Sequence, residues 1–82
     1  MARKDKLKTK LLSGNQDKNF AFDDLCTLLL RLGFTERQGK GSHRVFHRPG
    51  VEEILSLQPA RDGKAKPYQV KQVRDIVKAY GL

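Results

Sequence analysis

Residues 22–32 have the apolar periodicity of an amphipathic helix, and this segment limits the possible folds more than any other. Large apolar side chains recur there at helical spacing, at Phe22, Leu25, Leu28, Leu29 and Leu32. Asp23 and Asp24 stand in the first turn, where the helix dipole favours negative charge. Gly33 follows at the position where a left-handed residue would end the helix. A helix with one apolar face must bury it, so the remaining chain has to supply a second layer.

Short segments after this helix predict an antiparallel sheet of three strands, at residues 34–38, 42–48 and 51–57. In the first connection, Gly39 and Gly41 are both free to adopt a positive φ. In the second connection, Pro49 and Gly50 predict a hairpin.

The second predicted strand has two distinct faces, because side chains alternate across a strand. One face carries Ser42, Arg44, Phe46 and Arg48, and the other carries His43, Val45 and His47. Phe46 is the largest apolar side chain of the set, so we expect its face to pack against the helices. His43 would then lie on the open face.

A last helix is predicted from Pro67, because proline fits the first helical position, where its missing N–H does no harm. Its buried stripe is expected to be Val70, Val73, Val77 and Tyr80, with Ile76 at the edge, and Gly81 would end it. The elements predict an α+β fold with the order helix, three antiparallel strands, helix. Both helices are expected on one face of the sheet, which leaves the other face free for a ligand.

The first 19 residues form a basic segment ahead of the predicted domain, which we place at residues 20–82. Leu7 and Leu11 are one helical turn apart, so residues 1–12 predict a short, marginal helix that packs lightly or frays. Two roles are open for this segment. It is either an additional electrostatic contact to nucleic acid or a solvated appendage.

The charge of the chain predicts a polyanionic partner. Lys and Arg number 17 against 9 acidic residues, which gives a net charge of +8 and a pI near 10.0. Such a surface attracts nucleic acid first, through counterion release and electrostatic steering. A merely soluble basic protein is the alternative.

The single cysteine, Cys26, excludes an intrachain disulfide, and its leucine neighbours predict a buried thiol in a reducing cytosol. No apolar run approaches the ~20 residues of a membrane span. The basic N-terminal residues are not followed by the apolar core of a secretory signal. The cytoplasm is therefore the expected location.

Both histidines lie within residues 40–50, among glycines and cations. An imidazole exchanges protons near neutral pH and can act as general acid or base, and Lys40 and Arg44 beside His43 would attract a phosphodiester. In a strand, His43 and His47 would be about 13 Å apart, at ~3.3 Å per residue, too far to hold one metal ion. No metal or other cofactor is predicted. From these residues alone, His43 also fits a bystander or a stacking surface.

Three segments closely resemble the HicA toxins of bacterial HicA–HicB toxin–antitoxin systems: Leu32-Gly33-Phe34, residues 39–46 (GKGSHRVF) and residues 67–73 (PYQVKQV). The resemblance covers residues 22–80. It implies a fold like a double-stranded-RNA-binding domain, mRNA interferase activity with His43 as the catalytic histidine, and a HicB antitoxin that forms a hetero-oligomer with the toxin. Residues 58–63 depart from the proline with a histidine or glycine pair that many members have after the third strand.

The mechanism that the resemblance implies is metal-independent cleavage of mRNA, in which His43 moves the proton. Candidate RNA-binding residues are Lys40, Gly41, Ser42, Arg44, Lys64, Lys66 and Lys71. The cations would bind phosphates, and the small residues would let the RNA backbone approach. A domain that binds duplex RNA by its shape without cutting it is the alternative function.

Overall fold

The structure is a computed structural model that describes residues 6–82. Its elements in chain order are α1 (Lys6–Ser13), a single 3-10 turn (Asp17–Asn19), α2 (Phe22–Arg31), β1 (Thr35–Gln38), β2 (Arg44–Arg48), β3 (Val51–Leu57) and α3 (Pro67–Tyr80). The strands form one antiparallel sheet in the order β1-β2-β3. This architecture confirms the predicted α+β fold and the order of its elements.

The core lies between one face of the sheet and the helices. Its fully buried members include Leu25, Leu28 and Leu29 of α2, Phe46, Leu55 and Leu57 of the sheet, and Val70 and Val73 of α3. The burial of Phe46 confirms which face of β2 meets the helices. Between Leu55 and Leu57 the side chain of Ser56 is exposed, so the opposite face of the sheet is open.

The C-terminal end of α2 has the left-handed glycine that the sequence predicted. Gly33 has φ +94° and donates its N–H to the Leu30 carbonyl at 3.1 Å, and Phe34 donates to the Leu29 carbonyl at 3.0 Å. This pair of bonds satisfies carbonyls that the last helical turn leaves free. It also turns Phe34 into the core, so β1 begins at Thr35, one residue later than predicted.

The buried face of α3 differs from its prediction at the edges. Ile76, expected at the margin, is 6% exposed, whereas Tyr80, expected within the stripe, is half-buried. The reason is the phenol group, which needs a partner: the Tyr80 hydroxyl donates to Glu53 Oε1 at 2.7 Å beside the β2–β3 hairpin.

The second strand begins at Arg44, not at the predicted Ser42. Residues 40–43 form a turn instead, in which the His43 N–H donates to the Lys40 carbonyl at 3.0 Å. Gly41 takes a left-handed φ of +60°, but Gly39, expected to share that freedom, does not have a positive φ. Ser42 and His43 therefore belong to the loop between β1 and β2. The hairpin at Pro49 and Gly50 is as predicted.

The N-terminal segment packs more tightly than predicted. Leu11 of α1 is fully buried in the common core, and Leu7 packs against that core. Arg74 of α3 donates to the Leu11 carbonyl at 3.3 Å and to both carboxylate oxygens of Asp17, at 2.8 and 3.1 Å. A solvated appendage would make none of these contacts. The part of the predicted helix at residues 1–5 lies outside the described residues, and the domain boundary at residue 20 stays a prediction.

Candidate functional site

The turn that carries His43 holds its imidazole in one orientation. His43 Nδ1 lies 3.1 Å from the Lys40 carbonyl oxygen, which also accepts the backbone N–H of His43. A carbonyl oxygen can only accept, so this contact requires the proton on Nδ1. In the neutral ring, Nε2 is then left with a free lone pair. The residue as a whole is half-buried, so part of it is exposed to solvent. The arrangement suits a general base at Nε2.

Gly39 makes room for this histidine. It pairs with His43 across the loop, donating its N–H to the His43 carbonyl at 3.1 Å. A Cβ on Gly39 would lie 3.0 Å from His43 Cβ and 3.0 Å from the His43 carbonyl oxygen, and 3.3 Å from Val45 Cγ2. The backbone oxygen cannot give way without moving the turn. Glycine is needed here for space, not for the positive φ that its sequence position suggested.

Two glutamines connect the turn to α3. Gln58 Nε2 donates to Ser42 Oγ at 3.2 Å, and the Gln58 N–H donates to Gln69 Oε1 at 3.4 Å. Gln69 is the buried polar side chain of α3, at 4% exposure. The sequence interpretation missed both residues. The helical spacing of Gln69 with Val73 and Ile76 would have placed it on the buried face, where a polar group needs a partner.

Arg44, predicted to bind RNA, is engaged within the protein. Its Nε and Nη2 donate to the two carboxylate oxygens of Glu36 at 2.6 and 2.7 Å, and its Nη1 lies 3.8 Å from Asp23. The guanidinium also lies over the Phe22 ring, 5.8 Å from its centroid. The hydrogen bond between Arg44 and Glu36 lowers the pKa of Glu36 and raises the pKa of Arg44. An RNA phosphate would have to compete with Glu36 for this cation.

The other predicted RNA-binding residues fall into two groups. Lys40, Gly41 and Ser42 are exposed and share the turn with His43. Lys64 and Lys66 lie on the loop after β3, whose first residue, Gln58, contacts that turn.

Lys71 stands apart from both groups on α3. Its ammonium is 3.0 Å from Asp75 Oδ2. It lines a surface cavity of about 410 Å³ with Glu53, Tyr68, Gln72, Asp75 and Ile76. None of these residues belongs to the His43 turn.

The remaining candidates for chemistry are separated from the turn. His47 pairs with Thr35 inside the sheet, whereas His43 precedes β2. Cys26 is 2% exposed, as predicted, and burial raises the pKa of its thiol to about 11, so it stays protonated at neutral pH. Within residues 6–82, no three His, Cys, Asp or Glu side chains are placed to hold a metal ion. No helix in this described part of the chain is long and apolar enough to span a bilayer.

Comparison with protein families matches residues 22–82 to the family described as HicA toxin of bacterial toxin–antitoxin. Comparison with curated proteins and with solved structures gave no match. The family match includes α2, the sheet and α3, together with the whole His43 turn. α1 and the 3-10 turn precede it. The chain therefore belongs to the HicA family and is a toxin of a toxin–antitoxin system.

Proposed function

We propose that this toxin is a metal-independent endoribonuclease, an mRNA interferase that uses a single catalytic histidine, His43. The observation that carries the proposal is the contact between His43 Nδ1 and the Lys40 carbonyl, which leaves Nε2 available as a base. Membership of a toxin family supports it, because cleavage of mRNA stops translation and growth.

In the proposed reaction, His43 Nε2 accepts the proton of a ribose 2′-OH. The 2′-oxygen attacks the adjacent phosphorus and forms a new P–O bond as the bond from phosphorus to the 5′-oxygen breaks. The 5′-oxygen takes up a proton from water and His43 gives up the one it accepted, so the products are a 2′,3′-cyclic phosphate and a 5′-OH. A positioned base of this kind contributes ~10²- to 10⁴-fold in rate.

The turn and the neighbouring loop supply the proposed RNA contacts. A Cβ on Gly41 would meet no atom within 4 Å beyond its chain neighbours, so the RNA backbone has space to approach there. We infer that Lys40 and Lys66 bind phosphates near the reacting group and stabilise the charge that develops on it, and that Lys64 binds a phosphate outside the His43 turn. Arg44 and Lys71 would bind the RNA only if a phosphate displaced their carboxylate partners, Glu36 and Asp75.

We propose that a HicB antitoxin neutralises the toxin in the cytoplasm by covering the His43 turn. The net charge of +8 favours an acidic partner surface, which would speed association of the two proteins. In this proposal the toxin and antitoxin form a hetero-oligomer, and loss of the antitoxin releases cleavage of mRNA.

The test compares purified wild-type protein with His43→Ala on a labelled single-stranded RNA, in the presence of a metal chelator. We expect the cleavage rate to fall by ~10²- to 10⁴-fold. His47→Ala is the matched control and should cut at nearly the wild-type rate. Expression of the same variants in a bacterial host, with circular dichroism confirming equal folding, should show growth arrest for wild type that His43→Ala relieves.

The competing function is a non-catalytic duplex-RNA-binding domain. It would be the better account if neither wild type nor His43→Ala cut RNA while both bound duplex RNA equally. Cleavage at the wild-type rate by His43→Ala would instead contradict the role of this histidine.

A further inference from the structure

Two lysines from distant parts of the chain converge on Asn19, in the 3-10 turn. Lys10 of α1 donates from Nζ to the Asn19 carbonyl oxygen at 2.9 Å. Lys64, in the loop before α3, donates from Nζ to Asn19 Oδ1 at 3.4 Å. The two ammonium groups are thus gathered around one neutral residue at the surface. We call Lys10, Asn19 and Lys64 the Asn19 cluster.

The positive charge of the Asn19 cluster is not balanced by the protein. Within residues 6–82, neither ammonium forms a salt bridge with a carboxylate. Among the described acidic residues, Asp17 is paired with Arg74, and Asp62 accepts the backbone N–H of Lys64 at 3.0 Å but forms no salt bridge with its ammonium. Each ammonium has three protons, of which one is used in its contact with Asn19. An anion between the two lysines would find unused donors and relieve their repulsion.

Both cations are held before any ligand arrives. Lys10 lies over the ring of Phe20, 4.9 Å from its centroid, and that ring is fully buried. The loop that carries Lys64 is fixed to the same segment by its backbone. Ala65 donates its N–H to the Phe20 carbonyl at 2.7 Å, and Lys64 forms an isolated antiparallel β-bridge with Ala21. Because the two lysines are already ordered, binding loses less side-chain entropy, which favours affinity.

We propose that the Asn19 cluster is a phosphate-binding site for the backbone of the RNA, separate from the His43 turn. The inference rests on the proposed ribonuclease function. A phosphodiester offers two non-bridging oxygens to two ammonium groups, and contacts of this kind position a nucleic acid without reading its sequence. The loop of residues 58–66 joins the two sites, since Gln58 contacts Ser42 at one end and Lys64 contacts Asn19 at the other. Lys10 precedes residues 22–82, so the site depends on a segment outside the family match.

The experiment measures RNA affinity against salt concentration in a His43→Ala background, which prevents cleavage. Lys10→Gln and Lys64→Gln are made singly and together, and Lys78→Gln is the control, since Lys78 is an exposed lysine in the last turn of α3. The proposed site binds one phosphate, so for single-stranded RNA the double variant should reduce the slope of log K against log salt by about 0.7, and each single variant by no more than that. The affinity loss of the double variant should then be about two- to threefold larger at about 50 mM salt than at about 200 mM.

Lys78→Gln should leave the salt slope within error of the His43→Ala parent. Slopes of the Lys10 and Lys64 variants equal to that of Lys78→Gln would overturn the inference while leaving the ribonuclease proposal intact. Unchanged RNA binding with weakened capture of a HicB antitoxin would also overturn it, and would assign the cluster to a protein partner. If the parent protein binds no RNA at all, both the inference and the proposed function fail.

Discussion

Three arginines hold the scaffold together through hydrogen bonds to groups from other elements, whereas the turn that carries His43 is held by neutral hydrogen bonds. Arg74 joins α3 to the 3-10 turn through Asp17, and Arg44 joins β2 to β1 through Glu36. Arg48 donates from Nε to the carbonyl of Leu32 at 2.8 Å, at the C-terminal end of α2. A guanidinium has a planar set of donors that suits such links.

The His43 turn has a different kind of support. Its contacts to Lys40, Ser42 and Gln58 are 3.0 to 3.2 Å long and involve no charged partner. Gly39 contributes by lacking a side chain. Charge-assisted bonds are roughly twice as strong as neutral ones. Changes in the arginine links should therefore alter stability, and changes in the turn should alter activity.

Apart from replacement of His43 itself, the largest effect on activity is expected from Gly39→Ala. Its methyl group would push the His43 backbone by a few tenths of an ångström. Since a misplacement of about 1 Å costs on the order of 10²-fold in rate, we expect a loss of up to about tenfold. Cleavage kinetics should show that loss in kcat/KM. Gly81→Ala is the control, because its left-handed φ of +64° makes alanine strained there while the position is open and lies at the end of α3. It should lower stability by ~1 kcal/mol and leave the rate per folded molecule unchanged. A wild-type rate for Gly39→Ala would show that the turn tolerates a side chain.

Removal of the α3 link should affect stability alone. Arg74→Met leaves Asp17 without its partner at a site where the Arg74 side chain is only 13% exposed, and we expect a loss of about 2 kcal/mol in the free energy of unfolding. Denaturant titration measures this. Arg37→Met, at an exposed position on β1, should stay within about 0.5 kcal/mol of wild type. Equal stability of the two variants would mean that the N-terminal segment is not anchored by Arg74.

The Arg44–Glu36 link predicts an acid-sensitive contribution to stability. The hydrogen bond from Arg44 lowers the pKa of Glu36, so the contribution is present above the unfolded carboxyl pKa of about 4.3 and is lost as pH falls through the folded value. Glu36→Gln should therefore be less stable than wild type by up to about 1 kcal/mol at neutral pH, and the difference should vanish in acid.

The control for this pH series is Glu52→Gln, which changes an exposed carboxylate on β3. Its stability should run parallel to wild type across the same range. If the difference in stability between Glu36→Gln and wild type does not change with pH, the ion pair is not its cause.

The smallest effect is expected from Gln58→Ala, which removes the hydrogen bond to Ser42. An exposed neutral bond of 3.2 Å contributes about 0.5 kcal/mol, so kcat/KM should fall two- to threefold, by roughly that free energy. Gln72→Ala, at an exposed position on α3, should have no effect on the rate. If the two variants cut RNA equally fast, Gln58 does not position the turn.

Local sequence determined the elements of this protein and the neighbourhood of its histidine. Apolar periodicity predicted α2 and α3, and Gly33 and Pro67 marked their ends. The glycines and cations around His43 made it a candidate, whereas its catalytic role was implied by the resemblance to the HicA family and stays a prediction. These features can be predicted from the sequence because caps, turns and helix faces depend on residues a few positions apart.

The tertiary structure decided what each polar group does. Arg44 was predicted to bind phosphate, but folding places Glu36 beside it. The helix that contains Leu11 was predicted to pack lightly or fray, but Arg74 and Asp17 anchor its segment to α3. Likewise, only the pairing of β1 with β2 brings Gly39 against His43, and only the return of the last loop brings Lys64 to Asn19. The physical reason is that charge pairing and steric clearance depend on distances between residues far apart in the chain, which no local pattern encodes.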